Sequence, residues 1–264
     1  MEPTYLISPW LGTPMPQTFL SEIAVHNRER GLAVGGSGSG KSTLCERLVP
    51  WFVQEYPNGR ALIVDTKPRF RAADQLNGTT AKGLYKHWDH GTPVPGSVRL
   101  DLSMPDFGMP DAWKLGYRVA ILQSEFERDR ATMLAAIAQF FQGVRASRPQ
   151  LLYVDEIADF FMVNGQPLRG AGDHRDAILR VVRAGRERGQ AFLGATQRPV
   201  GIPVQIVQEL TRLYLFRLDN EDDLDALFSK GVRLPEDAPI PEVDHLFYYF
   251  DKPRRRGGLY KLRL

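Results

Sequence analysis

Gly35, Gly36, Ser37, Gly38, Ser39, Gly40, Lys41 and Ser42 fill every fixed position of the pattern G-x-x-x-x-G-K-[ST]. An apolar run, Gly31 to Val34, precedes them and helix-like spacing follows. Glycines let successive backbone N–H groups turn inward around phosphate oxygens, and a helix starting here adds the positive end of its dipole. Lys41 brings a point charge to the β and γ phosphates of a nucleotide, Ser42 a hydroxyl for Mg²⁺, and Thr43 completes the set of nucleotide-binding candidates. A flexible Gly/Ser linker has a similar composition, but Lys-Ser-Thr and an amphipathic helix directly after it do not suit a linker. The cradle alone does not name a reaction.

A second cluster lies in "LLYVDEIADF", an apolar strand pattern that ends in Asp155 and Glu156. Carboxylates at the carboxyl edge of a parallel sheet face the ligand side. Asp155 is expected in the shell of the metal. Glu156, beside it, can polarise a water for in-line attack on a γ phosphate, which points to hydrolysis. The alternative for Glu156 is a surface acid at a strand-to-helix turn, a description that fits Asp159 better. In "RAGRERGQAFLGATQRP" a basic helix runs into a strand ending at Thr196-Gln197-Arg198. Gln197 at such a tip suits a sensor of the γ phosphate, or else is a solvated loop amide. Arg180, Arg183, Arg186 and Arg188 crowd the helix and its exit. At a subunit boundary one of them could enter a neighbour's site as an arginine finger, and the alternative is a solvated basic face.

The elements that must position these groups alternate short apolar runs with longer periodic ones, the mark of an α/β fold with a mainly parallel sheet and helices on both faces. Strands are expected at 31–34, 61–65, 118–122, 151–155, 191–195 and 213–217, with an antiparallel pair at 246–250 and 259–262. Helices are expected at 41–55, 125–146, 173–188 and 220–228. Residues 1–30 read as a proline-punctuated arm and 31–264 as a single domain; Gly, Pro and His make 75–110 an irregular insertion within it.

Composition sets outer bounds. A hydrophobic content of 43% and charged content of 25% are globular, and no apolar run approaches a bilayer span. The start "MEPTYLISPW" lacks a secretory pattern and Cys45 is the single cysteine, so the cytoplasm is the expected compartment. A net charge of +3 gives no global field for nucleic acid, so any such contact must come from local patches.

Four stretches together resemble the FtsK–HerA superfamily of hexameric DNA-pumping ATPases: "GGSGSGKST", "LIVDTKPR", "VDEIADFFM" and "RERGQAFLGATQRP". The resemblance spans most of residues 31–218 and is most specific in the last two stretches. It implies a RecA-like P-loop NTPase core with ATP and Mg²⁺ as cofactors, Lys41, Ser42, Asp155 and Glu156 in hydrolysis, and Gln197 as sensor. It favours Arg186 over Arg183 as the finger. It also implies a homo-oligomeric ring, hexamer or pentamer, around double-stranded DNA. Thr66 stands where the family usually has proline, leaving Asp65 and Lys67 without a settled role. A stand-alone core of this size is most similar to the genome-packaging ATPases of icosahedral viruses with internal membranes. That reading places the chain in a host cytoplasm or docked on a virion vertex, with a capsid or membrane protein as partner. Conjugative and chromosome-partition pumps of the same superfamily are the alternative, and a P-loop small-molecule kinase is the alternative from another class.

Candidate DNA contacts are Arg169 and Arg175 in "NGQPLRGAGDHRD", whose counterpart in the resembling pumps faces the ring channel, and Arg69 and Arg71 after "VDTKP". Cations on flexible loops suit sequence-independent phosphate contact. A third basic stretch, "DKPRRRGG", carries Lys252, Arg254, Arg255 and Arg256. Each of these is otherwise a solvated surface loop.

Overall fold

A computed structural model describes residues 17–67, 69–75, 92–100, 116–124, 126–141, 148–163, 166–167 and 176–262. Helix α1 (Gln17–Ile23) leads into β1 (Arg30–Val34), and α2 (Lys41–Glu55) follows the glycine-rich loop. Then come β2 (Arg60–Asp65), β3 (Phe70–Gln75), β4 (Thr92–Leu100), β5 (Val119–Gln123) and α3 (Arg130–Phe141). Strand β6 (Gln150–Val154) is followed by the short pair β7 (Met162–Val163) and β8 (Gln166–Pro167). Helix α4 (Ala177–Arg188), β9 (Gln190–Thr196), α5 (Val204–Glu209), β10 (Arg212–Phe216), α6 (Glu221–Ser229), β11 (Leu246–Asp251) and β12 (Arg256–Lys261) complete the described chain.

Ten strands form one sheet in the order β12-β11-β10-β1-β9-β6-β2-β5-β4-β3. The strands from β10 to β3 are parallel; β11 runs against them and pairs antiparallel with both β10 and β12. The sheet is covered on both faces, so its central strands are continuous apolar runs whose successive side chains divide between two cores. Leu32, Val34, Leu62, Val64, Leu152 and Val154 meet Leu134 and Ile137 of α3 and Ile178 and Val182 of α4. Ala33, Ile63, Tyr153 and Leu193 meet Leu44, Leu48 and Phe52 of α2 on the opposite face. The glycine-loop strand β1 is therefore held in the middle of the sheet with β9 on one side and β10 on the other.

Three expectations need correction. The span 75–110 is not wholly irregular, because β4 lies within it and pairs with both β5 and β3. Pro93 and Pro95 disguise the strand, since proline cannot donate to a ladder. The register with β3 slips between Ala72 and Asp74, and pairing with β5 begins only at Ser97, past both prolines. The helix expected over 125–146 splits into a 3-10 turn at Glu127–Asp129 and α3. The helix expected from 173 is described from Ala177. Among the described residues no helix is long and apolar enough to cross a membrane.

Candidate active site

The glycine-rich loop is anchored at its root to the tips of both flanking strands. The Gly35 N–H donates to Thr196 O (3.3 Å) at the end of β9, and the Gly36 N–H to Arg217 O (2.7 Å) just past β10. A Cβ on Gly35 would lie 2.5 Å from Phe216 Cβ, so this position admits no side chain without moving the strand. Gly38 and Gly40 have φ of 73° and 107°, the left-handed region that glycine enters at least cost. Helix α2 starts directly after Gly40. The Lys41 ammonium donates to Gly36 O at 2.6 Å and closes the loop. Burial lowers the Lys41 pKa, with the Glu156 carboxylate opposing that shift and the Lys67 ammonium adding to it.

Strand β6 delivers the carboxylates. The Asp155 N–H donates to Val64 O (2.9 Å), prolonging the pairing with β2, and Thr66 Oγ1 donates to Asp155 Oδ2 at 3.1 Å. Burial raises the Asp155 pKa and the Glu156 charge raises it further; the Thr66 hydrogen bond, Lys67 and Arg69 pull it back. Glu156 sits at φ 43°, ψ 58°, a left-handed conformation uncommon for a residue with a side chain. That turn carries its carboxylate toward β9. There Glu156 Oε1 accepts from Thr196 Oγ1 and from the Gln197 N–H, both at 2.9 Å.

These pieces close around one pocket of about 270 Å³. Lys41, Ser42, Asp155, Glu156 and Gln197 all line it, as do Ser37, Gly38, Gly40 and Thr43 of the loop. Gly35 and Gly36 lie beneath as the loop's root. Ser39 is buried, its hydroxyl without a hydrogen-bond partner among the described residues. Arg183 and Arg186 are on the exposed side of α4, away from this pocket. Arg69, a candidate DNA contact by sequence, lines the pocket with Lys67. Arg71 falls in β3, and Arg169 and Arg175 lie outside the described residues.

Four further residues take part. Thr196 belongs to the quoted "ATQRP" stretch, and its hydroxyl fixes Glu156. Thr66, the departure from the family's proline, supplies the hydroxyl on Asp155. His245 lines the pocket from just before β11 and donates its N–H to Ser39 O at 2.8 Å. The Asp219 carboxylate accepts the Ser37 N–H at 3.1 Å and is braced by Arg217, which also pairs with Asp244 at 2.9 Å. Only the two threonines carried a local signal, by their place next to the motif residues. His245 and Asp219 reach the loop through the sheet order, which no spacing encodes.

A family model described as an AAA domain matches residues 25–188, from just before β1 through the end of α4. The chain belongs to the AAA domain family. It is a P-loop ATPase domain. This AAA domain is similar in structure to the genome packaging NTPase B204 from Sulfolobus turreted icosahedral virus 2 in complex with ATP-gammaS. The TM-score is 0.54 at 14% identity, covering 90% of this chain and 98% of that one. The same NTPase in complex with AMP gives 0.54 at 14%, covering 90% and 100%. The cytoplasmic domain of the Thermomonospora curvata type VII secretion ATPase EccC gives 0.50 at 15%, covering 89% of this chain and 25% of that one. At these identities the likeness is one of fold. Comparison with curated protein sequences finds no match.

Proposed function

We propose that this AAA domain couples ATP hydrolysis to translocation of double-stranded DNA, as the motor that packages a viral genome. The observation that carries the reading is the grip of the β9 tip on Glu156. Thr196 and Gln197 hold the carboxylate that would activate water, so the residue expected to sense the γ phosphate is joined through its own backbone to the residue expected to cleave it. A small-molecule kinase has no use for that link, whereas a motor needs hydrolysis and sensing coupled. The fold shared with the packaging NTPase B204 supports the choice of DNA as cargo.

In this reading Lys41 holds the β and γ phosphates on the loop that runs from Gly35 to Thr43. Mg²⁺ fits the donors present. Ser42 and Asp155 line one pocket, and Asp155 Oδ1 carries no hydrogen bond among the described residues. A magnesium ion that keeps waters and phosphate oxygens needs only one or two protein oxygens. Its charge would offset that developing on the phosphates. Glu156 orients and deprotonates the water, and Gln197 reads the γ phosphate. Arg186, with Arg183 beside it, acts on a neighbour's ATP in a homo-oligomeric ring of six or five copies, in a host cytoplasm or at a virion vertex. Arg169, Arg175 and Arg71 contact the DNA backbone, and residues 31–264 work as one domain.

The test is ATPase turnover with and without long duplex DNA. Stimulation by duplex of any sequence, lost with Lys41→Ala, is expected. Turnover indifferent to DNA but dependent on a small phosphate acceptor would refute the motor reading.

A further inference from the structure

The turn after β2 brings two cations to the pocket that the motif residues do not account for. It is built around Asp65, which is fully buried at the carboxyl end of the strand. Asp65 Oδ2 accepts the Arg69 N–H (2.6 Å), the Phe70 N–H (3.0 Å) and Gln123 Nε2–H (3.0 Å). The Gln123 amide also donates to Phe70 O at 2.6 Å, so the strand next to β2 clamps the far side of the turn. A buried carboxyl engaged in this way ties the Arg69 and Phe70 backbone to the end of β2. Lys67 and Arg69, within the turn, are left facing the pocket.

Neither the Lys67 ammonium nor the Arg69 guanidinium has a hydrogen bond or an ion pair among the described residues. This holds although Asp155, Glu156 and Asp159 are close by and other surface arginines of the chain, such as Arg217 and Arg254, are paired. The two cations are nonetheless near the chemistry. They hold the Asp155 pKa down against burial, Lys67 does the same for Asp159, and Lys67 depresses that of Lys41. Strand order fixes which end of the pocket they occupy. The loop on β1 is followed sideways by β9 with Gln197, β6 with Asp155 and Glu156, and β2 with Lys67 and Arg69. Asp219, Asp244 and His245 approach from the other side, through β10 and β11. The carboxylates mark the γ end of a bound nucleotide, so Lys67 and Arg69 stand at that end and not at the nucleoside. Two anionic side chains there would repel a triphosphate; Lys41 and a bound Mg²⁺ would offset part of that, and Lys67 and Arg69 add two further positive charges at the same end.

We propose that Lys67 and Arg69 hold the γ phosphate of ATP within the same chain, so that the "DTKPR" turn discriminates triphosphate from diphosphate. Arg69, in particular, serves the nucleotide and not DNA. The proposal rests on the pocket binding ATP and is independent of what the domain moves.

The test is equilibrium binding of ATP, ADP and AMP to Lys67→Gln, Arg69→Gln and the double variant, each in a Glu156→Gln background that suppresses turnover. Loss of one charge-assisted contact is expected to weaken ATP about tenfold, ADP far less and AMP not at all. Lys67→Arg should restore ATP binding, and the unfolding midpoints should stay together because both side chains are exposed. An equal loss for all three nucleotides would overturn the proposal, as would unchanged ATP binding with loss of duplex DNA binding in Arg69→Gln. Lys41→Ala in parallel locates a failure. If it loses ATP while the Lys67 and Arg69 variants keep it, the proposal alone falls. If it too keeps ATP, the reading of the pocket falls with it.

Discussion

Asp65→Asn separates the turn's two jobs, because the amide keeps an acceptor but carries no charge. Burial pushes the Asp65 carboxyl up from 3.8 to about 7, against three hydrogen bonds that lower it. Its ionised form is thus the less favoured one in the folded chain. A carboxyl raised on folding contributes stability that is complete below the unfolded value and is lost as pH rises toward the folded one. The rise corresponds to about 4 kcal/mol in full, most of it, about 2–3 kcal/mol, falling between about pH 5 and about pH 8. The amide Oδ1 can take over the three donors on Oδ2, but its NH₂ then occupies the place of the carboxylate oxygen that has no partner. In acid the protonated carboxyl also carries one unpartnered O–H there, but the amide places two N–H donors in that spot, an added cost of about 1–3 kcal/mol. Urea denaturation of both proteins across that range should therefore show the variant less stable in acid. The gap should close by about 2–3 kcal/mol toward about pH 8, with the order approaching reversal. Taking the difference between the proteins removes the other titrating groups. A gap that does not change with pH would refute the assignment of the raised pKa to Asp65.

Glu156→Gln should bind ATP with turnover nearly abolished, and single-turnover kinetics beside nucleotide binding would check the split. Thr196→Val removes one donor from Glu156 at constant volume, so kcat should fall about tenfold with KM little changed; a rise in KM alone would contradict its role as a positioning residue. Gly35→Ala should cost about 1–3 kcal/mol in denaturation, since its Cβ meets the rigid Phe216 Cβ. Gly36→Ala, whose Cβ has the exposed Asp219 carboxylate as its nearest neighbour at 2.2 Å, should cost less, as a side chain held by the Ser37 N–H and Arg217 moves more readily than a strand. Mixing Arg186→Ala subunits with Lys41→Ala subunits should recover activity in mixed assemblies if the arginine acts across a subunit boundary, and no recovery would end that assignment.

The central strands are legible because a sheet covered on both faces demands short, continuous apolar runs. "GLAV", "ALIVD" and "LLYVD" are too short for buried helices and too uniformly apolar for strands with one wet face. The glycine loop is legible because its chemistry is done by backbone, and only glycine at set positions gives that backbone. Strand β4 is hidden by Pro93, Pro95 and Gly96, residues that normally end strands; here Pro93 pairs in register with Arg71 while Pro95 and Gly96 fall in a register slip. The left-handed Glu156 is hidden too, because an ordinary strand-to-turn sequence gives no sign that one residue will be held at φ 43° by contacts from another strand. Long-range participants are the hardest. Asp219 lies 182 positions from the Ser37 N–H it accepts, and only the pairing of β10 with β1 brings them together. Charge marks Arg69 as a cation but not where it stands. What charge omits is the buried Asp65, whose acceptor draws in the Arg69 N–H and sets where the side chain emerges.

The same sheet separates the two classes of arginine. Helix α4 ends at Arg188, turns through Gly189 at φ 73°, and enters β9 at Gln190, while Gln197 follows the last residue of that strand. The C-terminal end of α4, with Arg186, thus sits at the opposite edge of the sheet from the pocket, and Arg183 stands about one turn back along the helix. The seven residues of β9 lie between the helix end and the pocket, roughly 20 Å at the rise of a strand, and even from Arg183 roughly 12 Å remain. No arginine side chain spans that distance. A contribution of α4 to phosphate chemistry can reach only another copy, through a head-to-tail contact of the kind that closes a ring. Lys67 and Arg69 have no such requirement, since they already line their own chain's pocket. Nucleotide affinity is therefore expected not to change with protein concentration, whereas turnover rises as copies assemble. Measuring both across a dilution series distinguishes cations that hold the γ phosphate from those that help to expel it.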